Sequence, residues 1–264
     1  PLHHDLHHHR CPRLDSGRVS VSPLDFTGSD AVFYIPPPPF HSGDVDLVEF
    51  ATNAANNVKD AIEKAGSVRR LLVFSALGAE NDHGIGILKI NNISDKIFKT
   101  AAPEVAIIKP GYFAENWTAA FETAKAEPPV LYSPLTPLML TVSQVSLIDI
   151  RETCARILLD LAAPLPRRTH AFELYGPRHY STEDVRDAVQ EITGKKVGIV
   201  AIEVDELAGF YAQEGIPAGL VLEMVEFTTA ALPGGIMDGR FGGDKDTVWG
   251  KVELVDALRK VYKA

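Results

Sequence analysis

The chain is expected to fold as an α/β protein built around a parallel sheet, and three observations carry that expectation. Short unbroken apolar runs, "AVFYI" at 31–35, "RLLVFS" at 70–75 and "EVAII" at 104–108, read as strands covered on both faces. Between them lie stretches whose apolar residues recur at helical spacing. The separations then fit strand–helix–strand units with right-handed crossovers, which build parallel sheets.

Taken in order, "RVSVS" at 18–22 offers a short alternating strand ahead of Asp25. The run 31–35 is closed by four prolines, Pro36 to Pro39, which lack N–H donors and fix φ, so neither ladder nor helix continues through them. Val45, Val48, Ala51, Ala55, Val58 and Ile62 share one helical face, with Asp44 as N-cap and Gly66 as the stop. After the strand Arg70 to Ser75, a second helix carries an isoleucine stripe at Ile87, Ile90, Ile93 and Ile97. The next strand is stopped by Pro110-Gly111. Later elements are mixed: a strand at Val145 to Ile148, a helix from Asp149 (its expected cap) to Ala162, and a strand at Ala171 to Tyr175. A helix with a capping-box start at Ser181 and Asp184 follows, then a strand in "KKVGIVAIEV". Helices at Asp205 to Glu214, Pro217 to Ala231 and Val252 to Tyr262 complete the chain, which has no internal repeat. The glycine-rich "PGGIMDGRFGGD", 233–244, has no strand before it and reads as a loop.

Composition narrows the function. With 264 residues the chain can hold one large domain, or one domain with a small appendage, and 45% apolar content supplies a core. A net charge of −9, with Arg167-Arg168 and Lys195-Lys196 as isolated basic pairs, argues against direct nucleic-acid binding. No stretch has membrane-spanning length and none reads as a signal peptide. Two cysteines, Cys11 and Cys154, form neither a disulfide framework nor a zinc site, so a reducing cytoplasmic location is expected and no metal. The start, "PLHHDLHHHRCPRLDSGR", is histidine-rich and aperiodic; His4 and His8 stand at i, i+4, but 1–18 reads as a low-complexity, disordered tail.

The ordered succession "DAVFYIPPPP", "RRLLVFSALGAE", "GIGILKINNISDKIF", "VAIIKPGYFAENW", "VSLIDI" and "FELYGPRHYSTEDVRDAVQEITGKKV" resembles the NmrA-like group of atypical short-chain dehydrogenase/reductases from about Asp25 onward. The resemblance implies a Rossmann-like doubly wound sheet that binds NAD or NADP, with a small C-terminal part over the substrate. It implies three regions: the tail 1–18, a truncated dinucleotide-binding core 19–150, and 151–264 completing the sheet and covering the cleft. It further implies that Pro36, Pro37 and Pro38 wall the cofactor, that Ser75 ends the next strand near the nicotinamide ribose, and that Pro110, Gly111, Tyr112 and Phe113 border the nicotinamide. Asn116 and Tyr175 are then candidates for the substrate side. Strand carboxyl ends converging on one crevice are where open α/β sheets bind ligands.

Two departures matter. No strand–glycine loop–helix precedes Asp25, so the usual pyrophosphate cradle and the residues choosing NAD over NADP are missing, and cofactor binding by the chain as written is expected to be weak. The helix that should carry a tyrosine–lysine pair reads Leu88, Lys89, Ile90, Asn91, Asn92. Asn92 can bond a ribose but exchanges no proton near neutrality; Lys89, one turn earlier on the same helix, is a candidate acid/base, with a solvated surface lysine as the plainer reading. No G-x-S-x-G elbow surrounds Ser75, which excludes a serine-hydrolase reading with His83. Three functions remain: an NAD(P)H-dependent oxidoreductase of a small organic molecule, a non-catalytic dinucleotide sensor acting on a protein partner, or a relative unable to bind cofactor.

Overall fold

The computed structural model describes residues 24–41, 46–239 and 242–263. The expected strand near 18–22, the histidine-rich start and the cap Asp44 lie outside the described residues.

The main sheet has five parallel strands in the order β1 (Ala31–Tyr34), β2 (Arg70–Phe74), β3 (Glu104–Pro110), β7 (Thr169–Tyr175) and β10 (Val248–Trp249). Alternation along the strands divides the apolar residues between two faces. On one face Leu71, Val73, Val105 and Ile107 pack with α1 (Leu47–Ala65) and α2 (Lys89–Phe98) through Ala55, Ile62 and Phe98. On the other, Leu72, Ala106, Ile108 and Phe172 meet Ile150 and Cys154 of α4 (Leu147–Leu159). Helices on both faces of a parallel sheet make this a doubly wound, Rossmann-like fold. Leu71, Leu72 and Val73 are wholly buried, and each such side chain contributes about 1.5–3 kcal/mol by leaving water.

Local punctuation acts much as the sequence implies. Gly66 caps α1 in the left-handed conformation at φ 64°, while the N-cap is Asp46, whose carboxylate accepts from the Val48 and Glu49 amides. The capping box of α5 (Thr182–Thr193) is formed by Ser181 and Asp184.

Three expectations need correction. The strand expected at 145–148 is β6 (Val142–Val145), and α4 begins earlier because the Ser146 hydroxyl caps it. Asp149 is therefore inside the helix, where its carboxylate accepts from the Lys251 and Val252 amides at 3.0 Å each and ties the last loop to α4. The isoleucine stripe is real but incomplete: Ile87, Ile90 and Ile93 pack with Leu47 and Leu220, and Ile97 packs with the sheet, yet Asn91, Asn92, Ser94 and Asp95 are buried too, so α2 turns a polar face inward as well.

A second layer covers the carboxyl end of the sheet. It contains β4 (Tyr112–Phe113), parallel to β6 and joined through it to β8 (His179–Tyr180), and the pair β5 (Val130–Ser133) with β9 (Gly198–Ala201). Helices α3 (Ala119–Thr123), α5, α6 (Leu207–Gln213), α7 (Ala218–Ala231) and α8 (Leu254–Tyr262) complete it. Its core joins Trp117, Phe121 and Leu131 to Val185, Val189 and Leu258. β7 and β10, in the C-terminal part, complete the main sheet, and residues 114–142 belong to the cover.

Candidate functional site

The site grows out of the ends of β2 and β3. The Ser75 amide donates to the Ile108 carbonyl at 2.8 Å and the Leu77 amide to the Pro110 carbonyl at 3.2 Å, so the two strand ends leave the sheet side by side. At the turn, a Cβ on Gly111 would stand 2.5 Å from Ser143 Oγ and 2.7 Å from the Ser143 carbonyl. Only glycine lets β3 and β6 approach this closely. The chain then runs directly into β4 and a short 3-10 turn, Ala114–Thr118, which brings Asn116 and Trp117 to the same place.

These segments wall a cavity of about 580 Å³. Ser75, Pro110, Gly111, Tyr112, Phe113 and Asn116 line the sheet side, and Phe210, Tyr211, Met224, Phe227 and Thr228 of α6 and α7 close over it. The lining is largely apolar and aromatic, with few polar groups, the pattern of a site that orients a small organic ligand by a handful of contacts. Trp117 is anchored by its indole N–H on Gln144 Oε1 at 2.9 Å, and Gln144 in turn donates to the Tyr180 carbonyl. Tyr211 and Thr228 share a hydroxyl–hydroxyl bond inside the cover. Burial pushes the Tyr112 phenol well above its ordinary value, against the opposing effect of Asn116, so Tyr112 is neutral and a donor at any ordinary pH.

Six of the residues singled out from sequence thus meet in one cavity. The others do not. Pro36, Pro37 and Pro38 follow β1, and continuing the register sets Pro36 beside Ser75 at the same sheet edge, but none of the three lines the cavity; Pro36 is buried and Pro37 and Pro38 are exposed. Lys89 is ion-paired with Glu223 at 2.9 Å and Glu226 at 3.5 Å, both on α7. Burial works to lower its ammonium, but the two carboxylates win and raise it, which leaves it fully charged and a poor proton donor. Asn92 spends its amide on the Ala79 and Asn81 carbonyls, holding the loop after β2. Tyr175 is fully buried, donates to Glu173 at 2.6 Å and stacks edge-on with Trp249, away from the cavity.

Sequence reasoning passed over Asp95. This residue is buried beneath Ser75, whose hydroxyl donates to Asp95 Oδ2 at 2.8 Å, while Oδ1 has no hydrogen-bond partner among the described residues. Burial pushes the carboxyl up to about 6, more than the Ser75 bond and Lys109 pull it down. The signal available was its position three residues after Asn92 on the same helix face, which the isoleucine pattern obscured.

Comparison with known proteins agrees with this architecture. No protein-family model matches the chain. A stretch of 178 residues, 66% of the chain, is 24% identical to an NAD(P)H azoreductase of Xenophilus azovorans, and the match spans 60% of that protein's length. Among solved structures, a triphenylmethane reductase of Citrobacter sp. superposes with a TM-score of 0.67 at 15% identity, over 90% of this chain and 78% of that one. An NADPH-dependent quinone oxidoreductase of Escherichia coli, solved with NADPH, gives 0.67 at 17% identity with the same coverage. A nucleoside-diphosphate-sugar epimerase of Staphylococcus aureus gives 0.65 at 14%, over 89% and 77%. The protein has the Rossmann-like fold these chains share. Among the described residues no helix is long and apolar enough to cross a membrane.

Proposed function

We propose that the chain belongs to an NAD(P)H-dependent oxidoreductase acting on a small aromatic molecule, related to the NmrA-like atypical short-chain reductases. The observation that carries this reading is the cavity itself: apolar, aromatic and seated at the carboxyl ends of β2 and β3. The named azoreductase, triphenylmethane reductase and quinone oxidoreductase point the same way.

The chain suits one half of a dinucleotide better than the other. The turn Pro110 to Phe113 and Ser75 offer a flat wall for a nicotinamide, which when bound supplies hydride. For the pyrophosphate, no glycine-rich strand–helix turn lies beside β1 among the described residues. Each charge-assisted bond from such a turn is worth roughly 1.5–3 kcal/mol, so the 264-residue chain alone is expected to bind NADPH more weakly than micromolar. The chain's own residues do the rest. Phe210, Phe227 and Trp117 sandwich an apolar ligand and exclude water, and Ser75, Tyr112 and Asn116 offer the polar contacts that orient it.

The test is calorimetric titration with NADPH and NADH, followed by NADPH oxidation in the presence of a naphthoquinone. Saturable, sub-millimolar-to-millimolar binding with quinone-dependent oxidation is expected. Nucleotide binding without turnover on quinone, azo or carbonyl compounds would favour the sensor reading, which the absence of a tyrosine on α2 also favours.

A further inference from the structure

The buried pair behind the cavity wall does something that no stability argument explains. Asp95 presents one oxygen to Ser75 and leaves the other without a partner, at 7% exposure. A carboxylate buried in that way is costly unless it carries a proton or a full set of donors. Ser75, its hydrogen-bonding partner among the described residues, also lines the cavity. A serine hydroxyl has one proton and two lone pairs, so whatever Asp95 takes, the cavity receives the complement.

We propose that Asp95 is a positioning residue that sets the direction of the Ser75 hydroxyl, and through it which ligands the cavity prefers. This rests on the cavity being the substrate site. With Asp95 ionised, Ser75 donates to Oδ2 and shows the cavity only lone pairs, a site for hydrogen-bond donors such as phenols. With Asp95 protonated, the carboxyl donates to Ser75 Oγ and the serine proton turns outward, a site for acceptors such as ketones, quinones or azo nitrogens. The midpoint lies near pH 6, where burial has lifted the carboxyl. The charges facing Asp95 are Lys109 of β3, Glu80 of the loop after β2, and Lys99 at the end of α2. Lys109 and Glu80 pair with each other at 2.9 Å and largely cancel, which leaves burial in control.

The experiment compares two probes of one shape, 2-acetylnaphthalene (acceptor) and 2-naphthol (donor), by calorimetry between pH 5 and 7.5 without nucleotide. The ketone is expected to bind about five-fold tighter at the acid end and the naphthol about five-fold tighter at the neutral end, one ordinary hydrogen bond each. In Asp95→Asn, whose side chain has no titrating proton, each probe should bind with one affinity at every pH and the crossover vanish; Ser75→Ala should lose the crossover by weakening both. A wild-type chain whose two probes show the same pH dependence, or an Asp95→Asn chain that keeps the crossover, or binding of neither probe, overturns the proposal. Should Asp95→Asn fail to fold, the Ser75→Ala result decides alone. Because no nucleotide is present, absence of NADPH oxidation would refute the redox reading and leave this result standing.

Discussion

The two ends of the main sheet treat a buried charge in opposite ways. At the amino end, Arg70 opens β2 with 1% exposure and has partners for its whole fork. Nε donates to Glu104 at 2.8 Å, and the remaining nitrogens reach Glu104 and the carbonyls of Ile157, Asp160 and Ala163. Burial works to raise the Glu104 carboxyl, but the bonds from Arg70 and the Leu165 amide prevail and hold it below its ordinary value. At the carboxyl end, Asp95 has one bond, one empty oxygen and a raised carboxyl. A satisfied ion pair fixes the end of α4 to the sheet. An unsatisfied carboxyl is a place where the fold tolerates instability, and such places concentrate at sites that act on ligands.

That contrast can be broken most forcefully at Arg70. Replacing it with methionine leaves Glu104 and three carbonyls without their donor, and the unfolding free energy in urea is expected to fall by about 3–5 kcal/mol. A loss below about 1 kcal/mol would mean that the pair is ornamental.

The opposite result is expected at Asp95. Its folded carboxyl, at about 6, lies above its ordinary value, so between the two the folded state holds more protons than the unfolded. Stability from this group is therefore present at low pH and declines as pH rises from about 4 through 6. Asp95→Asn should remove that decline, making stability at pH 7 relative to pH 4 roughly 2 kcal/mol more favourable than in wild type. Parallel pH curves for the two proteins would contradict the buried, unsatisfied state.

Lys89 supplies the mild case. Its pairs with Glu223 and Glu226 are partly open to water, with side-chain exposures of 34%, 24% and 41%. Lys89→Ala is expected to cost at most about 1 kcal/mol at low salt and nearly nothing at high salt. Loss of all redox turnover in this variant, with folding intact, would reinstate Lys89 as an acid.

Much of this was legible in the sequence, and the division follows distance along the chain. Gly66, the Ser181–Asp184 box and the runs behind β1, β2 and β3 are decided by neighbouring residues, so pattern finds them. The cavity wall Ser75, Pro110 to Phe113 and Asn116 was indicated by the family resemblance, and for Ser75 and Pro110 to Phe113 also by their place after buried strands whose ends meet. Partnerships across long stretches were not. Lys89 looks solvated until α7 returns 134 residues later to pair with it. Asp149 looks like a cap until the loop at 251–252 claims its carboxylate. β9 was legible as the strand in "KKVGIVAIEV", but its partner β5 and the two-residue β10 were announced by neither pattern nor length. Asp95 was hidden for a different reason: the isoleucines of α2 account for one buried face, and a second, polar face is buried beside it.

The proline run decides where a backbone ladder stops. β1 pairs with β2 over four residues, Ala31 to Tyr34. Pro36 to Pro39 can neither donate to a neighbouring strand nor adopt an extended ladder's continuation, so the pairing ends there. The stop is a ruler: it fixes β1 to end level with Ser75, so that the carboxyl edge of the sheet is cut at one height where the cavity begins.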